Sequence, residues 1–195
     1  MKIIFGIKIL IYIINIQGFS QITPPNNSRQ NTSDKYALID DVKNLEFDTE
    51  KSKISFDFVE ENTKGTISIV DLKINFNPND VDNASFSGKA SVKTIDTNNF
   101  LRDGHLMWEK FFYKRKYPTI SFKSNQVVSF GKNTYKVIGN LTIKGVEKEI
   151  IITFSLNDST LLGKTTIYTS DFNVNIHDER LKNKLDIEFH FPIVK

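Results

Sequence analysis

From Phe47 to the end of the chain, apolar side chains recur at every second position, and that rhythm admits few folds. Successive residues of a strand point to opposite faces, so a period of two marks strands with one buried side. Ile54, Phe56 and Phe58 alternate with Ser55 and Asp57, and Ile67 and Ile69 with Thr66 and Ser68. Leu72, Ile74 and Phe76 continue in the opposite phase, which places a bulge or bend in one long strand at Val70-Asp71. Asn77-Pro78-Asn79-Asp80 then supplies a chain reversal. Further strands are expected over residues 84–95, 119–130, 134–143, 147–156, 161–176 and 184–194. Gly131-Lys132-Asn133 and Lys144-Gly145-Val146 are short enough to make the strands they join antiparallel. About eight strands result, the number at which an antiparallel sheet closes into a barrel that can hold one small ligand.

One polar stretch interrupts the strands. Residues 98–114 are the best helical candidate, because Asn98 or Asn99 can cap its start and Pro118 bars its continuation. Leu101, His105, Trp108 and Phe112 then share one helical face. The expected fold class is all-β, an extended eight-stranded antiparallel β-barrel with one short helix capping a mouth.

The N-terminus reads differently. Lys2 and Lys8, an apolar run from Ile9 to Ile16 and then Gly18-Phe19-Ser20 follow the order of a signal peptide, so residues 1–20 are expected to be removed before Gln21. The run is too short for the roughly 20 residues a membrane span needs. Residues 21–36 are polar, carry Pro24-Pro25 and show no period, which suits a disordered linker. Residues 37–195 are the expected folded domain, with residues 37–45 open between a short helix and an extended lead-in. Such a protein would be exported, to a periplasm or beyond. Without residues 1–20 the chain has 24 basic and 23 acidic residues, which leaves no nucleic-acid footprint. Having no cysteine, it has neither disulfides nor a cysteine lipid anchor.

Sixteen phenylalanines make a heavy aromatic load. The candidates for an apolar lumen are Phe56, Phe58, Ile67, Ile69, Phe86, Phe111, Phe112, Ile120, Phe122, Ile152, Phe154, Ile187 and Phe189. Periodicity alone leaves two readings open, a hollow lumen and a barrel packed shut by its rings. Asp96, Asn99, Arg102, Asp103 and His105 form a polar cluster around the helix. Either Arg102 and His105 meet a phosphate or quinone head group, or the cluster is structural, with Asp and Asn capping the helix and Arg102 paired to a carboxylate. Lys114, Arg115 and Lys116 form a basic rim among aromatic residues, either facing an anionic membrane surface or simply solvated. His105, His177 and His190 are far apart in sequence and have no cysteine to join them, so no metal site and no catalytic residue is expected. The oligomeric state stays open, a homodimer included.

Ile95-Asp96-Thr97-Asn98-Asn99, Arg102-Asp103-Gly104-His105-Leu106, Phe111-Phe112 and Tyr117-Pro118-Thr119-Ile120-Ser121-Phe122 together resemble the signature of the YceI-like family, secreted lipocalin-like barrels that bind polyisoprenoid lipids. The stretch from Tyr135 to Lys148 is similar to that family's hairpin, and Ser170-Asp171-Phe172 to a third block. The resemblance implies an elongated lumen for a polyprenyl phosphate or isoprenoid quinone. It also implies no enzymatic activity, no cofactor other than that lipid, and a sequestering or transport role in a bacterial envelope, one tied to stress included. An envelope interaction module with a packed barrel and an unrecognised hydrolase are the competing readings. The basic residues 114–116 depart from the family pattern, as does the stretch after Phe172, where relatives carry more glycine.

Overall fold

A computed structural model describes residues 44–194, so the expected signal peptide, the expected linker and the lead-in up to residue 43 lie outside the described residues. Nine strands follow one another: β1 (Lys53–Phe58), β2 (Thr63–Ile67), β3 (Ile69–Asn75), β4 (Ser85–Ser91), β5 (Thr119–Ser129), β6 (Thr134–Ile143), β7 (Val146–Leu156), β8 (Thr160–Tyr168) and β9 (Lys184–Pro192). They form one sheet in the order β2-β1-β9-β8-β7-β6-β5-β4-β3. Its two outermost members, β2 and β3, are separated only by Ser68. A single bent strand therefore pairs with β1 through its first half and with β4 through its second, and the sheet closes on itself. The ninth strand is this bend. Around the barrel the path is the expected eight.

The register carries the phase slip read from the sequence. Pairing of β3 with β4 shifts between Ile69 and Asp71, leaving Val70 as an exposed bulge and returning Leu72, Ile74 and Phe76 to the inner face. A second shift at Asn125 in β5, invisible as a break in hydrophobicity, carries the inward phase from Phe122 to Val127. In β6 alternation is strict, with Tyr135, Val137, Leu141 and Ile143 buried. The two short links form antiparallel hairpins, β5–β6 and β6–β7, with Gly131 and Gly145 at positive φ.

Three expected elements end early. The strand expected over 84–95 stops at Ser91, where Val92–Thr94 tightens into a 3-10 turn held by Val92 N–H to Pro118 O at 3.0 Å. The strand expected over 161–176 stops at Tyr168. There Thr169–Phe172 turns as a 3-10 helix and Asn173, at φ +59°, reverses the chain. The helix, α1, covers only Phe100–Leu106, with the Asn99 carboxamide oxygen accepting from Arg102 N–H at 3.2 Å as its cap. Beyond it the chain coils through successive turns to Tyr117, with Tyr113 at φ +50°. Burying Phe111 and Phe112 against the barrel competes with a continued helix and wins, and Trp108 is left 60% exposed. The helical face drawn through Leu101, His105, Trp108 and Phe112 is therefore not formed.

Strand directions sort the loops into two ends. One end gathers the turn 76–84 and the hairpin loops 130–133 and 157–159. It is plugged by Phe76, Tyr135, Phe154, Leu161 and Phe191, all buried, with Phe76 and Tyr135 edge to face at 4.8 Å. The other end gathers the β1–β2 turn, the segment 92–118, the β6–β7 turn and the loop 169–183. The remaining apolar clusters lie toward this end, around Leu141, Ile143, Ile167, Phe172 and Val174 and around Ile67, Ala90, Val92 and Ile95.

Candidate binding cavity

Inside the barrel lies a cavity of about 540 Å³, within the few hundred to a thousand Å³ of typical ligand sites. Every residue expected to line a lumen does line it, from Phe56 on β1 to Phe189 on β9. The barrel is not packed shut, despite its aromatic load, and the register explains why.

Phe56 lies opposite Gly65, and Phe154 opposite Gly163. A Cβ on either glycine would come within 2.4–2.5 Å of the facing phenylalanine ring. Phe122 likewise covers Gly139, where a Cβ would sit 2.6 Å from the ring. Each ring thus lies against the wall over a residue without a side chain. Large and small residues alternate across the sheet, and the space the rings would occupy at the axis is left hollow.

The cavity's lining changes character at the loop end. There Glu61, Thr63, Thr97, Asn99, Arg102, His105 and Thr169 join it, together with the exposed Leu101, so the lumen reaches the surface beside α1. Arg102 Nη1 donates to Thr63 Oγ1 at 2.9 Å, which fixes α1 to β2. The expected carboxylate partner of Arg102 is not found among the described residues; a hydroxyl serves instead. Asp103 Oδ1 accepts from Thr97 N–H at 3.0 Å and from its hydroxyl at 2.6 Å, and Asp96 Oδ1 accepts from Asn98 N–H at 2.8 Å. These two carboxylates hold the approach to the helix and are not part of the lining. His105 is tilted against Trp108 with ring centroids 4.6 Å apart. The polar cluster divides accordingly: Asp96 and Asp103 are spent on local structure, while Asn99, Arg102 and His105 face the mouth. Lys114, Arg115 and Lys116 are exposed and stand outside the lining.

Sequence patterning missed the hydroxyls of Thr63, Thr97 and Thr169, because a threonine looks like any polar residue until the fold shows which way it faces. Thr169 is 4% exposed and its hydroxyl has no hydrogen-bond partner among the described residues. It also missed Asn183, which is fully buried and organises the loop 173–183. The Asn183 carboxamide oxygen accepts from Ile176 N–H at 2.9 Å and His177 N–H at 3.0 Å, and its nitrogen donates to His177 O and Glu179 O at 2.8 Å each. Val174 and Ile176, carried by this loop, line the cavity. His177 stacks on Phe58, and its Nε2 approaches Glu61 Oε1 at 2.9 Å without the alignment of a hydrogen bond.

Arg180 clamps the same loop. It grips Asp171 in two parallel bonds of 2.7 and 2.6 Å and lies 3.9 Å from the Tyr168 ring centroid. The hydrogen bonds from Arg180, more than its charge alone, hold the Asp171 carboxyl below its ordinary range. A depressed carboxyl stabilises the fold above its unfolded pKa of about 3.9, and that contribution disappears as pH falls through the lower folded value. Asp171→Asn is therefore expected to cost stability at neutral pH and almost none once the pH lies below the lowered folded value. Urea titrations across that range check this, and a difference that stays constant with pH would refute it.

Nearby, Lys144 Nζ donates to Lys110 O at 3.2 Å and Asn173 O at 2.9 Å, tying the basic segment to this loop. Burial pulls the Lys144 ammonium below its usual range.

A model of the YceI-like domain matches residues 45–193. A UPF0312 protein of Vibrio cholerae is 26% identical over 137 residues, which cover 65% of this chain and 71% of that protein. Among solved structures, Burkholderia cenocepacia BcnA superposes with a TM-score of 0.68 at 24% identity, over 77% of this chain and all of the other. A polyisoprenoid binding domain from Saccharophagus degradans, implicated in plant cell wall breakdown, superposes with a TM-score of 0.51 at 13% identity, over 75% of this chain and 95% of that one. At these identities the superpositions show a shared fold, the all-β barrel.

Proposed function

This chain belongs to the YceI-like family, and on that premise we propose that its barrel is a non-enzymatic carrier that sequesters or transports one isoprenoid lipid in a bacterial envelope. The observation that carries the reading is the hollow lumen, lined mostly by apolar side chains, with Arg102 and His105 at its mouth. An isoprenoid matches that division, being a long branched hydrocarbon ending in a single polar group. Burying about 400 Å² of such a chain contributes on the order of 10 kcal/mol before association costs, and the non-directional hydrophobic term tolerates different chain lengths. The polyisoprenoid binding domain of Saccharophagus degradans shares the fold, which supports the choice of cargo. The expected signal peptide supports export, with the periplasm or the exterior as the place of action.

At the mouth, Arg102, His105 and the Thr169 hydroxyl are the groups offered to the lipid's head. A guanidinium has five N–H donors and the Thr63 bond uses one, so Arg102 can still fork onto a phosphate. Arg102→Ala is expected to weaken binding of a polyprenyl phosphate by on the order of ten-fold and to leave the corresponding uncharged prenol unaffected. Equal losses for both would assign Arg102 to holding α1 rather than to the head group.

The reading is tested on protein purified from its native envelope, by extracting bound lipid for mass spectrometry. An isoprenoid is expected at near one per barrel. A barrel recovered empty, and without affinity for either polyprenyl phosphates or isoprenoid quinones, would leave the interaction-module alternative.

A further inference from the structure

We propose that the open end of the barrel docks on an anionic lipid bilayer, seated by basic residues and anchored by apolar side chains on the loops around the mouth. This extends the carrier reading and rests on it, since it assigns the surface from which the cargo is taken.

Two independent features coincide at this end. The first is a set of large apolar side chains left in water: Phe100 is 82% exposed, Leu181 72% and Trp108 60%, with Leu101 and Val59 also exposed. They belong to three separate segments, α1 with the turn after it, the β1–β2 turn, and the loop 173–183. These segments touch one another. Arg102 bonds to Thr63, His177 meets Glu61, and Val59 N–H donates to Lys184 O. These five side chains surround a single opening, while the other exposed large apolar residues, Val70, Phe130, Ile151, Leu162 and Val194, stand apart on the outer wall and at the opposite end.

The second feature is charge. From Lys110 to Lys116 the chain has four basic residues and no acid. Lys144 tethers the backbone of this segment to the loop at Asn173. Glu109 lies just before this segment and interacts with Lys144, and the other acidic residues at this end lie on the β1–β2 turn, around α1 and on the loop 169–183; Glu61 meets His177, Asp103 accepts from Thr97, Asp171 is held by Arg180 and Glu179 by Lys182. The basic segment therefore faces the surface first and the mouth tilts onto it.

A basic flank beside Trp, Phe and Leu side chains is the composition of a surface that rests in the headgroup layer. There the indole sits at the interface, the aliphatic groups reach the acyl boundary, and Lys and Arg meet anionic headgroups. The orientation also has a consequence for transfer. With the mouth seated on the bilayer, a prenyl chain passes from hydrocarbon to hydrocarbon without crossing water, which removes the main barrier to its exchange.

Trp108 is the chain's single tryptophan and reports on its own environment. The mature protein is mixed with vesicles of phosphatidylglycerol and phosphatidylcholine that contain no isoprenoid. Its emission is expected to shift to the blue and to be quenched by lipids brominated near the top of the acyl chain. Phosphatidylcholine alone should give little response, and high salt should weaken the effect. Lys114→Glu with Arg115→Glu and Lys116→Glu is expected to weaken co-sedimentation at low salt by at least about ten-fold. Phe100→Ser with Leu181→Ser should abolish the fraction that resists salt. All these positions are exposed, so circular dichroism should show an unchanged barrel. Absent co-sedimentation, an unresponsive Trp108, or undiminished binding by the triple reversal would each overturn the proposal. Because the vesicles carry no isoprenoid, a protein that fails to dock yet yields prenyl lipid from its native envelope refutes docking alone. One that docks but never carries prenyl lipid refutes the cargo alone.

Discussion

Asn183→Ala is expected to lower the free energy of unfolding by about 3 kcal/mol and to disorder the loop 173–183. The side chain is fully buried and makes four hydrogen bonds, all to backbone groups of one loop. Alanine leaves two N–H donors and two carbonyl acceptors to find other partners. A buried polar group left unsatisfied costs roughly 1–3 kcal/mol, and partial hydration of a surface loop brings the sum for four groups down to the figure above. Asn183→Asp should not rescue it, since a carboxylate keeps the two accepted bonds but loses both donated ones and buries a charge. Urea denaturation gives the magnitude, and hydrogen exchange at Ile176 and His177 locates it. A loss below about 1 kcal/mol, or exchange protection unchanged at those amides, would show that the loop is held by the Arg180–Asp171 clamp instead.

Filling the lumen should have the largest effect on binding. Ile187 lies midway along β9, paired with Phe56 on one side and Thr165 on the other, and lines the cavity. Ile187→Trp places an indole where cargo would lie. If it excludes about a quarter of the buried chain, roughly 2.5 kcal/mol of apolar burial is lost and affinity falls about 100-fold. The cavity is already hollow, so the added bulk should cost less stability than the 1–3 kcal/mol typical of overpacking. Ile151→Trp is the control. It sits on β7 next to the lining residue Ile152 but is 51% exposed on the outer wall. Competition binding with a fluorescent prenyl lipid distinguishes the two, and an Ile187→Trp protein that binds as well as its parent would place the ligand outside the barrel.

The strands and the lumen lining were legible because alternation is local: Tyr135, Val137, Leu141 and Ile143 announce their face without reference to any other strand. The Val70 bulge was legible for the same reason, as a change of phase within one strand. Whether the barrel is hollow was not legible. That depends on Phe56, Phe122 and Phe154 lying over Gly65, Gly139 and Gly163, and such pairings exist only once the register does. The helix was overextended because its periodicity holds up to Phe112, while burial of Phe111 and Phe112 is settled by neighbours remote in sequence. Residues 169–176 read as the end of a strand because Phe172, Val174 and Ile176 recur at every second position. The features that break it, Asn173 at positive φ and Asn183 folded into the loop's own backbone, follow from conformation rather than hydrophobic pattern.

The plug formed by Phe76, Tyr135, Phe154 and Leu161 makes the lumen a blind tube. A cargo that enters such a tube can leave only by backing out, so its polar end is the last part in and the first part out. Nothing can be threaded from one face of the protein to the other. Movement of a lipid between two membranes would then require the loaded barrel itself to travel and turn its one opening toward the acceptor, as a ferry does and a conduit does not.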